Sequence, residues 1–361
     1  MKIMQLMPEF ALAGAEIMCE NLIYELQKAG HEVIAVSMYD YHSPITERLE
    51  AAGIDIRYLG KKSGLDLSMI GKMRKLLKKE KPDVIHTHRY LMQYAIPAAI
   101  MAGAKGRVHT VHNVAGKEFN KTARRLNNIF YKSFKVTPVA LSELIADSIV
   151  EEYGIKKEKI PVIFNGIDLS KCKVKESYDV KGNFKILHVG RFSEQKNHIG
   201  LLRAFSLFHS KYPESELWLV GDGELKAEAE KYVKDNGLEH SVKFLGLCST
   251  VYSLLYDADM FILPSNFEGV PLTLIEAMGT GLPIAATAVG GVPDMLKDGE
   301  SAVFCDNDIS AICSSIEELY LNADKRARLG RLAKESSVKF SAEFTAKSYL
   351  DVYKEKIGQK A

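Results

Sequence analysis

The sequence predicts an α/β protein made of two doubly wound, Rossmann-like domains that face an interdomain cleft. Three observations carry this expectation. The chain has 361 residues, more than one domain usually holds. Short apolar runs alternate along it with longer amphipathic segments, and such alternation implies a parallel sheet with helices on both faces. The alternation pauses at a polar, charged stretch, Lys171–Asn183, and then restarts. That stretch reads as a linker, and a ligand cleft is what two such domains create between them.

In the first half, strands are expected at Ile3–Met7, Glu32–Met38, Val84–Thr87, Arg107–Val111 and Val136–Leu141. Helices are expected at Ala15–Ala29, Ile70–Glu80, Leu91–Met101 and Lys117–Ser133. In the second half the strands are Phe184–Val189, Glu216–Val220, Val242–Leu245, Met260–Leu263 and Pro283–Ala286. The accompanying helices are His198–Tyr212, Leu225–Asn236, Val270–Met278 and Ile309–Leu321. A last helix, Ser341–Ile357, carries an apolar stripe of Phe344, Tyr349, Leu350 and Tyr353. The domains are thus residues 1–170 and 184–340, with 341–361 free to fold back on the first.

Composition narrows the function classes. Apolar residues make up 47% and charged residues 26% of the chain, ordinary for a globular protein. The formal net charge of +2 does not call for nucleic acid. The charge is divided unevenly: residues 1–170 hold 24 Lys and Arg against 19 Asp and Glu. Cys19, Cys172, Cys248, Cys305 and Cys313 are odd in number and scattered, a pattern of free thiols in a reducing compartment rather than a disulfide frame or zinc site. The apolar run Ile3–Met7 is too short for a signal peptide, and no run is long enough to span a bilayer. A cytoplasmic location is expected.

The richest chemistry lies in Leu263–Gly279, where a strand ends in a loop and Pro271 stands at a helix start. Gly269 lets the backbone approach a ligand, and free amides with the helix dipole make an anion site there. Glu268 is in the loop. Glu276 sits among Leu274, Ile275 and Met278, and a carboxylate in apolar company needs a partner such as a sugar hydroxyl. After the first strand of the second half, Arg191 can fork two donors onto phosphate oxygens and Lys196 adds a point charge. Such cations stabilise a departing diphosphate. Gly14 opens the first helix and leaves room for a phosphate or sugar at its N-terminus.

Four histidines, His86, His88, His109 and His112, flank two strand ends. Period-2 alternation makes His86 and His88 buried structural residues, and no ligand of a third type has spacing suited to a metal. Asp257 and Asp259 form a D-x-D, but where a helix ends and a strand begins, so capping is expected there rather than a metal. Gly221-Asp222-Gly223 begins like a dinucleotide fingerprint, yet Lys226 replaces the third glycine. Lys117–Lys135 interleaves cations with Phe119, Leu126, Ile129, Phe130, Tyr131 and Phe134. It reads either as a solvated helix face or, helped by Ile70–Lys81, as a surface for an anionic membrane. The latter would place the chain peripherally on the cytoplasmic membrane face.

The spacing of Glu268 and Glu276 within S-N-F-E-G-V-P-L-T-L-I-E-A-M-G resembles the Glu-x7-Glu signature of retaining glycosyltransferases of family 4, which have the GT-B fold. Further matches are A-G-A-E at 13–16, D-V-I-H-T-H at 83–88, F-N-G-I-D at 164–168, G-R-F-S-E-Q-K-N at 190–197 and G-D-G-E at 221–224. Relatives commonly carry two glycines where this chain has Ala13 and Gly14. The resemblance implies that Glu268 faces the donor sugar, that Glu276 binds the ribose, and that Arg191 and Lys196 hold the diphosphate. It places Gly269, Val270, Pro271 and Leu272 against the donor and His112 near the transferred sugar. It also puts Gly221, Asp222, Gly223, Leu245 and Gly246 beside the nucleotide.

These features together imply a metal-independent, cofactor-free hexosyltransferase. It would move a sugar with retention from a nucleotide-diphosphate donor, UDP by family frequency, to a saccharide or lipid-linked acceptor in glycan or polysaccharide biosynthesis. The donor is expected in the second domain and the acceptor in the first. Two rivals come from other classes. A glycoside hydrolase also needs two carboxylates, but has no use for Arg191 and Lys196. An inactive sugar-nucleotide-binding assembly subunit would not need all four residues intact.

Overall fold

The computed structural model describes residues 1–118, 120–248 and 251–358. Phe119, part of the basic–aromatic segment, lies outside them. The chain forms two compact units, Met1–Ile167 with Phe340–Ala361, and Asp168–Lys339.

The first unit contains strands β1 (Lys2–Met7), β2 (Glu32–Ser37), β3 (Asp55–Tyr58), β4 (Val84–His88), β5 (Gly106–Val111) and β6 (Thr137–Ala140). All pair in parallel, in the order β3-β2-β1-β4-β5-β6. Its helices are α1 (Gly14–Lys28), α2 (Pro44–Ala51), α3 (Ser68–Glu80), α4 (Met92–Ala102), α5 (Ala115–Glu118), α6 (Lys121–Ser133) and α7 (Glu143–Tyr153). The expected helix over Lys117–Ser133 is therefore two helices, the second started by the Asn120 side chain, which accepts from the Ala123 amide. β3, α2 and α7 are additions to the sequence reading. β3 is a four-residue edge strand, Asp-Ile-Arg-Tyr, whose residues are all at least partly exposed, so it lacks an apolar run.

The second unit repeats the plan with β7 (Phe184–Val189), β8 (Ser215–Val220), β9 (Val242–Gly246), β10 (Met260–Leu263), β11 (Ile284–Thr287) and β12 (Val303–Cys305). The order is β12-β11-β10-β7-β8-β9, again all parallel. Helices α8 (His198–Lys211), α9 (Lys226–Asp235), α10 (Tyr252–Asp257), α11 (Leu272–Thr280), α12 (Val292–Met295), α13 (Ile309–Leu321) and α14 (Ala323–Ser337) cover it. The core is built on Phe184, Ile186, Leu201, Phe205, Leu217 and Ile316. Lys171–Asn183, expected as a linker, packs on this unit. Cys172 is buried against Gly279, the Lys175 ammonium donates to the Tyr256 carbonyl at 3.0 Å, and the Tyr178 hydroxyl donates to the Gly281 carbonyl at 3.0 Å. A polar stretch without periodicity can still be anchored when its donors reach helix-end carbonyls, which no pattern announces.

The last helix, α15 (Ala342–Ile357), belongs to the first unit. Its buried stripe is Ala342, Thr345, Ala346, Tyr349, Val352 and Tyr353, packed with Ile3, Leu22, Val84 and Val108. Phe344 is not part of it, being 48% exposed. F-N-G-I-D at 164–168 serves this packing. The Thr345 hydroxyl donates to the Phe164 carbonyl at 3.0 Å, and a Cβ on Gly166 would lie 2.6 Å from the Ser341 carbonyl oxygen.

Candidate functional site

In an open parallel sheet, ligands bind beyond the carboxyl ends of the strands where the strand order reverses. In the second unit that point lies between β7 and β10, which are neighbours though far apart in sequence. The loop after β7 carries Arg191 and Lys196. The loop after β10 carries Glu268. Topology thus brings together the two loops that the residue chemistry singles out.

Lys196 and Glu268 meet as a buried ion pair, Nζ to Oε1 2.6 Å, with side chains 15% and 4% exposed. Several features hold them in place. Gly190 leaves room for the lysine stem: a Cβ there would lie 3.1 Å from Lys196 Cγ. Gln195 donates to the Phe267 carbonyl at 3.1 Å, and its own carbonyl accepts from the Asn266 amide at 2.8 Å. Gly290, after β11 with φ +57, lies against the Glu268 backbone, where a Cβ would fall 1.7 Å from the carbonyl oxygen. Sequence reasoning gives Gly190 and Gln195 no role beyond their place in the 190–197 motif and misses Gly290, whose signal is that glycine permits close backbone approach. Gly290→Ala forces both the left-handed strain and that clash, costing about 1–3 kcal/mol or more. It is expected to lower the melting temperature and to cut turnover at least tenfold. Gly269→Ala is the control: among the described residues no atom lies within 4 Å of the added Cβ, so this variant folds normally, and an unchanged melt for Gly290→Ala would refute the clamp.

Arg191 stands apart from that pair. It is 74% exposed and bound to Glu224, its guanidinium NH2 3.1 Å from Oε2. Nothing in the G-D-G-E motif announces that Glu224 holds it. The glycines of that motif pack the loop after β8 onto the loop after β7. Cβ atoms on Gly221 and Gly223 would lie 2.0 Å from the Gly190 carbonyl oxygen and 2.5 Å from that of Phe192. The Phe192 amide donates to the Asp222 carbonyl at 3.0 Å, and the Gly221 amide to that of Gly246 at 2.8 Å, beside half-exposed Leu245.

α11 begins at Leu272, two residues after the expected Val270, because Pro271 is its N-cap with extended backbone. Proline has no side-chain acceptor, so the first amides of the helix are left for another acceptor. Glu276 is half-buried on this helix. Burial pushes its carboxyl up to about 7, against a hydrogen bond from Tyr252 and the charge of Lys171. Tyr252 carries no signal of this in the sequence. Asp257 ends α10, and Asp259, at the opposite, strand-start end of the sheet, accepts from the Lys185 amide of β7 at 2.8 Å, a link between neighbouring strands rather than the expected cap. Among the described residues no group of three or more His, Cys, Asp or Glu is placed to hold a metal ion.

In the first unit the strand order reverses between β1 and β4. Gly14 opens α1 there, with no atom of the described residues within 4 Å of an added Cβ. Its N-cap, Ala13, has no side-chain acceptor. Glu16 is fully buried and pairs with Arg89 at 2.6 Å, while Arg89 adopts φ +53 just after β4. No sequence pattern marks Arg89.

His86 and His88 are fully buried and belong to one polar chain. The Gln5 carbonyl oxygen only accepts, so His88 Nε2 donates to it at 3.1 Å. His88 Nδ1 then accepts from His112 Nε2 at 3.1 Å, which leaves His112 Nδ1 as a free acceptor. From the amide end of Gln5 the chain continues to the Tyr353 hydroxyl at 3.1 Å, on to His86 at 2.7 Å, to Thr110 at 2.7 Å and to Tyr349 at 2.8 Å. Burial, reinforced by Arg89, holds His112 down at about 3. It is neutral at physiological pH, and the polar chain links it to Tyr349 and Tyr353 of α15.

On α6, Phe130 and Tyr131 face the core, and Arg124 pairs with Glu152 at 2.7 Å. The exposed face is Lys121, Arg125, Lys132 and Ile129, the last 49% exposed. Of the interleaved aromatics Phe130 and Tyr131 are thus interior, because a period of 3.6 puts them on a different face from 125 and 129. Among the described residues no helix is long and apolar enough to cross a membrane.

Two parallel doubly wound units, one with a lysine–glutamate pair at its switch point, are the architecture of the GT-B fold. Residues 12–171 match the family model Glycosyltransferase Family 4, and residues 173–336 match Glycosyl transferases group 1. The UDP-Gal:α-D-GlcNAc-diphosphoundecaprenol α-1,3-galactosyltransferase of Escherichia coli is 30% identical over 272 residues, covering 70% of each chain. The N-acetyl-α-D-glucosaminyl L-malate synthase of Bacillus anthracis is 28% identical over 80% of this chain and 78% of its own. Anabaena HepE, solved in complex with UDP, superposes with a TM-score of 0.86 at 20% identity, over 98% of this chain and all of its own. The chain belongs to glycosyltransferase family 4.

Proposed function

We propose that the chain transfers a hexose, with retention of configuration, from a nucleoside-diphosphate sugar to a saccharide or lipid-linked acceptor. The buried Lys196–Glu268 pair at the switch point carries this reading. When a donor binds, Lys196 exchanges its carboxylate for a diphosphate oxygen, and charge developing on the leaving group strengthens that contact. Arg191 leaves Glu224 in the same way, and the open amides at the start of α11 complete the anion cradle. Glu268 turns to the sugar hydroxyls and Glu276 to the ribose. Val270 and Leu272 flank the donor, and Gly221–Gly223, Leu245 and Gly246 border the nucleotide. His112, neutral and with Nδ1 free to accept, serves the transferred sugar. Front-face displacement through an oxocarbenium-like state, with the leaving phosphate taking the acceptor proton, fits this set.

UDP is the nucleotide to test first, since the Escherichia coli relative is named for a UDP-sugar donor and Anabaena HepE holds UDP. That relative's acceptor is lipid-linked, which favours acceptors in glycan biosynthesis and a peripheral place on an anionic membrane through the exposed face of α6. Salt-sensitive co-sedimentation with anionic vesicles measures the latter. A glycoside hydrolase fits less well, because its chemistry has no use for the cations Lys196 and Arg191. The deciding experiment incubates α-linked UDP-sugars with candidate acceptors in excess chelator and reads the product by proton NMR. An α-linked product at undiminished rate is expected. A β-linked product, hydrolysis alone, or a loss restored by magnesium or manganese would refute, in turn, retention, transfer and metal independence.

A further inference from the structure

At the other end of the first unit's sheet, where β5 and β6 begin, lies an open pocket of about 1010 Å³. Lys105, Arg107, Lys132, Lys135 and Lys159 line it, and among the described residues none of the five has a carboxylate within ion-pair distance. Its remaining cations are already paired to glutamates or an aspartate. Arg107 is the telling member. It is half-buried at the second position of β5, donates to the Phe134 carbonyl at 2.8 Å, and leaves its Nε buried without a partner among the described residues. Burial alone acts on its guanidinium, pulling the pKa down. The four lysines are exposed and, with half-buried Arg107, give the concavity an excess of positive charge. A bound anion offsets that charge and gives the Arg107 guanidinium a partner, and a guanidinium beside ammonium groups suits phosphate oxygens. The catalytic loops project from the carboxyl ends of the strands, so this pocket is separate from the chemistry.

We propose that the pocket is a second anion site, which takes a ligand bearing one or more phosphoryl groups. Two sources share that chemistry: a soluble phosphate ester or polyphosphate, and the headgroup of an anionic lipid. Calorimetric titration of the whole chain with inorganic pyrophosphate at low salt tests it, alongside Lys135→Glu and Lys159→Glu. Pyrophosphate also suits the donor site, so the difference between wild type and variants is the readout. Each charge reversal is expected to weaken the pocket's binding about tenfold, the loss typical of one charge-assisted contact, and the double variant to abolish it. Without ligand the variants should melt no lower than wild type, because repulsion is relieved. Identical titrations for wild type and double variant would overturn the proposal. Flotation with phosphatidylcholine vesicles, with and without phosphatidic acid, separates the sources. Vesicle binding that pyrophosphate displaces and Lys159→Glu weakens identifies the headgroup, whereas pyrophosphate binding with no vesicle binding identifies a soluble ligand.

Discussion

Lys196→Ala is expected to lower turnover by about 10²–10³, or about 2.7–4 kcal/mol of barrier, the size seen when one preorganised donor to developing negative charge is removed. The structure adds a second consequence that the sequence does not suggest. Lys196 is the partner of a carboxylate that is 4% exposed. Removing one member of a buried pair leaves the other charge uncompensated, at a cost of about 3–5 kcal/mol. Lys196→Ala therefore lowers stability about as much as it lowers catalysis, and a simple activity assay confuses the two. The double variant Lys196→Ala/Glu268→Ala separates them. With both charges gone the melting temperature recovers toward wild type, while turnover stays down. Arg191→Ala is the contrasting case: an exposed pair contributes little to folding, so its loss shows in turnover alone. Recovery of turnover in the double variant, or wild-type turnover in either single variant, would overturn the assigned roles.

Nucleoside diphosphate affinity is expected to depend on pH through Glu276. Only the carboxylate accepts two hydrogen bonds from a ribose diol. With the carboxyl pushed up to about 7, most chains are protonated there at about pH 6, and affinity is then roughly tenfold below its value at high pH. Glu276→Gln flattens the profile and Glu276→Ala weakens binding at every pH, whereas Glu268→Ala leaves nucleotide affinity nearly intact and reduces turnover. The sign for stability is opposite. Between the ordinary value of 4.5 and about 7 the folded chain holds more protons at Glu276 than the unfolded chain. That contribution to stability is therefore present at low pH and is lost as pH rises through this window. Calorimetry with UDP from about pH 5.5 to 8.5 checks the first statement. A flat profile for the wild type would mean that Glu276 does not meet the ribose.

The sequence by itself determined the class of the fold and singled out the candidate groups for the proposed chemistry. A strand such as Met260–Leu263 is apolar on both faces and needs no tertiary information to be recognised. Arg191, Lys196 and Glu268 stand out as charged residues in glycine-bearing loops that follow strands, and Glu276 as a carboxylate among apolar helix neighbours. What tertiary structure alone decided was pairing. That Lys196 meets Glu268, that Glu224 holds Arg191, and that Tyr252 reaches Glu276 depend on which strands are neighbours, and β7 next to β10 is a long-range fact that local periodicity does not contain. The polar chain from Tyr349 and Tyr353 to His112 is of the same kind. It joins residues up to 348 positions apart, and it exists only because α15 packs against β1, β4 and β5. The weakly patterned pieces, β3 and the anchored stretch Lys171–Asn183, are illegible for the complementary reason: their place is set by hydrogen bonds to a sheet or helix already formed, and their own side chains carry no apolar repeat.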